Sequence, residues 1–158
     1  MNTRSLRLTP VLAAAVLLAA CEGPGDDHDA RPVDVEYLTP FGAPTRPFSP
    51  AVRVGDVIFL SGQIGTDASA SGTVVAGGIE AETKQTMENI KRTLEAVGSS
   101  MEKVVKCTVM MADMAEWDRM NSIYRTYFSA GRLPARSAFG SNGLALGARV
   151  EIECIATR

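Results

Sequence analysis

The chain has 158 residues, 46% of them apolar, and a formal net charge of −2. That length and apolar content suit a single domain with a real core, and the near-balanced charge, with no lysine/arginine block, argues against nucleic-acid binding. The lone histidine, His28, sits in a polar stretch, which argues against a histidine-based triad or metal site, and Cys21, Cys107 and Cys154 lack the paired spacing of a zinc site.

Arg4 and Arg7 precede the apolar run from Val11 to Ala20. The run is shorter than the roughly 20 residues that cross a bilayer. A basic start, a short apolar core and small residues at its end describe a secretory signal. The end, Leu18-Ala19-Ala20-Cys21, resembles the lipobox of bacterial lipoproteins, in which the cysteine is acylated and becomes the first mature residue. The other reading is an ordinary signal peptide with an accidental cysteine. The Gly/Pro/Asp-rich segment after Cys21 favours the lipoprotein. Residues 1–20 are therefore expected to be a signal peptide, 21–34 a flexible tether and 35–158 the globular domain. Glu rather than Asp at position 22 makes the outer membrane the default destination, with the protein on the periplasmic side, held by acyl chains at Cys21.

Val35-Glu36-Tyr37-Leu38 reads as a short first strand, and Pro40, Pro44, Pro47 and Pro50 punctuate the loop after it. Ala51–Val54 and Val57–Ser61 read as strands joined by a two-residue turn at Gly55-Asp56. Val57 to Leu60 is apolar on both faces, so it needs cover on both sides; helices can supply one, and a partner subunit is a natural source of the other. Gly62 and Gly65 end that strand. From Ile79 to Val97 the residues Ile79, Thr83, Met87, Ile90, Leu94 and Val97 form a helical stripe, with charged residues, Glu82 among them, on the rest of the surface. Gly98 stops the helix. Val104–Met111 reads as a strand with Val105, Cys107, Val109 and Met111 inward. Asp113 and Glu116 have the spacing of a capping box. A second helix to about Phe128 buries Trp117, Met120, Tyr124 and Tyr127.

The last two strands, Pro134–Gly140 and Ala148–Cys154, are expected to form a hairpin-like pair through Asn142-Gly143 and Gly147. In the second of them Ala148, Val150, Ile152, Cys154 and Ala156 share a core face, and Arg149, Glu151, Glu153 and Ile155 share the other. The whole predicts an α+β domain with a sheet of about six strands and helices on one face.

Several polar residues have two readings. Arg136 is either a carboxylate-binding arginine with room above its small neighbours or a surface arginine paired with Glu151 or Glu153. Glu151 and Glu153 are general bases, water-holding groups or solvated charges. Asn121, among Trp117, Met120 and Tyr124, is a boundary residue or holds backbone. Ser61-Gly62-Gln63 is either an ordinary strand-ending turn or a source of N–H groups for an anion. Cys107 and Cys154, both on core faces, are by default buried thiols, although an exported location permits a disulfide.

Six segments, Ser49–Gly55, Phe59–Ile64, Val104–Lys106, Met120-Asn121, Pro134–Ser137 and Val150–Glu153, together resemble the Rid family of reactive intermediate deaminases, also called YjgF-like. The motifs extend over about residues 39–157 in the family's order. The resemblance implies a chorismate-mutase-like fold and a homotrimer with clefts between subunits. It implies that Arg136 binds a substrate carboxylate and that Glu151 orients water against an imine. Ser61, Gly62 and Asn121 would line the same cleft. The implied substrates are 2-imino acids, hydrolysed to 2-oxo acids and ammonia without a cofactor or metal. Phe48 stands where many deaminase members have a tyrosine, in the substrate-binding position, and Ala138 where a cysteine is frequent. A non-catalytic trimeric module that binds small carboxylates is the alternative function.

Overall fold

The computed structural model describes residues 32–43, 45–67 and 72–158. The expected signal segment, Cys21 and His28 lie outside them. Seven strands are present: β1 (Val35–Leu38), β2 (Ala51–Val54), β3 (Val57–Leu60), β4 (Gln63–Ile64), β5 (Val104–Met111), β6 (Ala135–Gly140) and β7 (Val150–Thr157). The helices are α1 (Gly78–Ala96) and α2 (Trp117–Tyr124), the latter flanked by single 3₁₀ turns. The sheet order is β1-β2-β3-β7-β5-β6, with β4 also paired to β7. Neighbours are antiparallel except β5 and β6, which are parallel. The expected α+β sheet with two helices is therefore present, enlarged by β4, whose two residues are too few to carry an alternation.

The alternation in β7 is as expected: Ala148, Val150, Ile152, Cys154 and Ala156 are all buried. They join Ile79, Met87, Ile90 and Leu94 of α1 and Met120 and Tyr124 of α2 in one core. The helices thus cover one sheet face. On the other face Tyr37, Val57, Phe59 and Phe139 are exposed.

Four local expectations are corrected. β6 and β7 are not a hairpin, because β5 lies between them and pairs with both. The chain crosses from β5 through α2 to a parallel β6, and the glycine-rich segment 141–149 then carries it past β5; its turn residues set local bends and leave the choice of partner to the apolar β5. In β5, Val104 is buried and Val105 is exposed, because the pairing with β7 shifts register between Val104 and Lys106. Glu82 is buried, and its Oε2 accepts the Arg149 backbone N–H at 2.7 Å. It lies one turn from Ile79 on the buried stripe, and the bond satisfies a carboxylate that would otherwise be costly to bury. Asp113 does cap its turn, accepting from the Ala115 N–H at 2.9 Å. Glu116 does not close the box; its two oxygens each accept from the Arg149 guanidinium at 2.8 Å.

Cys107 and Cys154 are bonded as a disulfide rather than lying as separate thiols. They are directly opposite each other on β5 and β7, with Cα atoms 4.1 Å apart. That is the close spacing of a non-hydrogen-bonded antiparallel pair. The bond closes a sequence separation of 47 residues in the middle of the core. Replacing both cysteines by alanine is expected to lower stability by about 2–4 kcal/mol, read as an earlier midpoint in chemical denaturation. An unchanged midpoint would show that the cross-link adds nothing to the packing around it.

Candidate functional site

The expected site residues fall into two groups. The first is built by α2 and β6. Arg136 pairs in register with Cys107, a core-face residue, so its side chain points to the helix side of the sheet. There its Nη1 donates to the Asn121 Oδ1 at 2.7 Å. Its guanidinium carbon lies 4.8 Å from the ring centres of both Trp117 and Tyr124. Two rings and one amide oxygen thus fix the guanidinium plane, a geometry that suits arginine and not lysine. Asn121, Trp117 and Tyr124 present themselves together because they lie three and four residues apart on α2. Arg136 makes no pair with Glu151 or Glu153.

A cleft of about 540 Å³ opens beside this group. Its lining includes Asn121, Tyr124, Arg125, Phe128, Pro134 and Arg136, and no acidic residue lines it. Burial pushes the Tyr124 phenol up to about 12, against the opposing influence of Arg136. Its buried hydroxyl has no hydrogen-bond partner among the described residues.

The second group lies where β3 breaks and resumes as β4 along β7. At the break, the Ser61 N–H donates to the Pro50 carbonyl at 3.1 Å. The Ser61 hydroxyl donates to the Ser49 carbonyl at 2.7 Å. The Ser61 N–H is therefore engaged within the chain, as in the strand-ending-turn reading of this segment. Gly62 packs directly against Glu151: a Cβ on Gly62 would lie 2.0 Å from the Glu151 Oε1. Only glycine permits that approach. Burial, followed by the charge of Glu153, raises the Glu151 pKa above the ordinary carboxylate value. Glu153 itself is exposed. Phe48, one residue before Ser49, is exposed and lines a separate hollow of about 280 Å³ with Arg46 and Gln63.

The two groups do not meet within one chain. Glu151 pairs with Met110 and Arg136 pairs with Cys107, three residues apart on β5. Strand alternation then places the two side chains on opposite faces of the sheet. The ring clamp of Trp117 and Tyr124 was not foreseen, because at helical spacing both read as core. The signal that could have found it was an amide set between two aromatics on the same helix face.

Residues 41–158 match the family model described as endoribonuclease L-PSP. The chain belongs to this family. It is 47% identical over 112 residues to the mouse 2-iminobutanoate/2-iminopropanoate deaminase, covering 71% of this chain and 82% of that protein. The human protein of the same name is 44% identical over 110 residues, covering 70% of this chain and 79% of its own length. Among solved structures, the Rid-family protein YyfA from Yersinia pestis aligns with a TM-score of 0.73 at 31% identity, over 79% of this chain and all of that chain (100%). The YjgF protein from E. coli aligns with a TM-score of 0.67 at 30% identity, over 73% of this chain and 91% of that one. This member of the endoribonuclease L-PSP family thus has relatives whose names state an imine deamination. The matched span contains both groups of residues, from Phe48 to Glu153.

Proposed function

We propose that the protein hydrolyses small reactive 2-imino acids to 2-oxo acids and ammonia. The observation that carries this reading is Arg136, clamped by Trp117, Tyr124 and Asn121 over a cleft without acidic lining. Such a guanidinium is prepared for a carboxylate. A protonated imine carbon is already electrophilic. The protein has to hold the carboxylate and deliver one water. Glu151 takes the proton of that water as its oxygen bonds to the imine carbon. The C–N bond then breaks, the carbon becomes a carbonyl, and nitrogen leaves with the protons as ammonium. The relatives' names support the substrate class. Phe48, Ser61 and Gly62 would flank the water side, and Asn121 the carboxylate side.

The same reading requires two chains at each site. Arg136 and Glu151 face opposite sides of one sheet, and the exposed Tyr37, Val57 and Phe59 form an apolar surface on the uncovered face. A homotrimer that buries this surface would bring the carboxylate side of one subunit to the water side of the next. We further propose that the protein is exported and tethered by a lipid at Cys21, on the periplasmic side and by default at the outer membrane. The Cys107–Cys154 bond supports an oxidising compartment, since disulfides persist there and are rare in the cytosol.

The test is turnover of freshly generated 2-iminopropanoate and 2-iminobutanoate by the purified full chain. Release of 2-oxo acid well above the spontaneous rate is expected. A folded oligomer that binds 2-oxobutanoate but leaves the spontaneous rate unchanged would instead be a non-catalytic carboxylate-binding module.

The pH profile gives a second check. Glu151 must be ionised to accept a proton, and its pKa is raised, so activity should fail on acidification earlier than for an ordinary carboxylate. Glu153→Gln removes the repulsive charge and leaves burial in place. The acidic limb of kcat/KM is then expected to move to lower pH. A limb that stays fixed would mean that another group controls it.

A further inference from the structure

The cleft beside Arg136 holds more positive charge than a short imino acid uses. In the single chain its volume is about 540 Å³, to which a neighbouring subunit of the proposed trimer adds its side of the site. A second guanidinium, Arg125, lines it together with Arg136. Arg125 follows Asn121 by four residues, so the two lie on the same side of the helix and its 3₁₀ extension. Asn121 is the residue that holds Arg136, which places the Arg125 side chain one turn from the carboxylate-binding group. Arg125 makes no ion pair among the described residues. The acid–base pairs there are Arg53–Glu36, Lys91–Glu95, Arg119 with Glu80 and Glu116, and Arg149–Glu116. Tyr124, next to Arg125 in sequence and also lining the cleft, is 4% exposed, with a hydroxyl that has no partner among the described residues. A buried donor left unpaired in this way is a cost unless a ligand meets it.

We propose that this cleft selects substrates with two acid groups, the 2-carboxylate on Arg136 and a distal carboxylate on Arg125 with the Tyr124 O–H. The preferred class is then a dicarboxylic 2-imino acid, such as the imine of a four- or five-carbon dicarboxylic amino acid. This rests on the deaminase reading for its chemistry, which is unchanged: water adds, ammonium leaves and the product is a 2-oxo diacid. It goes beyond that reading in assigning selectivity to Arg125 and Tyr124.

The experiment compares 2-iminoglutarate with 2-iminobutanoate, each generated in place by an amino-acid oxidase, in the full chain and in Arg125→Ala, Arg125→Lys and Tyr124→Phe. Calorimetric binding of the products 2-oxoglutarate and 2-oxobutanoate runs beside it. The unaltered protein should prefer the diacid. Arg125→Ala should lower the ratio of kcat/KM for diacid over monoacid by about tenfold, through KM. Arg125→Lys should restore part of the ratio, and Tyr124→Phe should lower it to a smaller degree. A ratio that is the same in Arg125→Ala and in the unaltered protein overturns the proposal. If neither imine is turned over, the deaminase reading fails, and the subsite is then decided by product binding alone. A 2-oxoglutarate/2-oxobutanoate affinity ratio that depends on Arg125 upholds it, and an indifferent ratio overturns it.

Discussion

Arg136→Ala is expected to lower kcat/KM for 2-iminobutanoate by on the order of 10²–10³-fold, and Arg136→Lys to recover little of the loss. The guanidinium is held in one plane by contacts at 4.8 Å to two ring centres and by the 2.7 Å bond to Asn121. A planar fork so held can offer paired N–H donors to a carboxylate with little further ordering. A lysine ammonium has neither the fork nor the flat faces. Most of the deficit should be in KM, with a share in kcat if the carboxylate also aligns the imine. The variant should stay folded, since Arg136 has no buried acid that would be left unpaired. Circular dichroism and oligomer size establish that, and steady-state kinetics give the rest. Activity within about tenfold of the unaltered protein would remove Arg136 from the carboxylate role.

Glu151→Gln is expected to lower kcat by about 10²–10⁴-fold while leaving 2-oxobutanoate binding in place. Glutamine keeps the shape that fits over Gly62 and loses the proton-accepting charge. It also relieves the repulsion from Glu153, so stability should not fall. The pairing of lost turnover with retained binding is what a water-activating carboxylate requires. Turnover that survives the change would show that water is activated elsewhere, and loss of binding as well would make Glu151 a substrate-holding group. Gly62 bears on the same point from the other side. Any side chain there must displace the Glu151 carboxylate, because the first carbon alone would stand 2.0 Å from its oxygen.

The fold was legible wherever a period ran long enough. β7 alternates over eight residues and α1 repeats over nineteen, and both lie where their patterns put them. What escaped had no local signature. β4 is two residues long. The register shift in β5 exchanges Val104 for Val105 and is decided by the partner strand, not by the strand's own sequence. Glu82 reads as solvated until Arg149, 67 residues away, brings it a backbone N–H. The disulfide depends on β5 and β7 being neighbours in one register. At the site, Arg136, Asn121 and Glu151 stood out as motif residues through the family resemblance, and elementary patterns left each with a bland reading. The clamp around Arg136 is a tertiary arrangement of residues that look like ordinary core. The separation of Arg136 from Glu151 could have been derived from alternation, but only with the strand order known.

That separation has a genetic consequence. In the proposed trimer each chain is half of two catalysts, offering Arg136 to one neighbour and Glu151 to the other. A chain lacking Arg136 and a chain lacking Glu151 are each dead in their own company. Assembled together, their sound halves can still meet, and the mixture is alive. A chain with both defects supplies neither half, so it silences two of the three sites in a ring it shares with two sound chains.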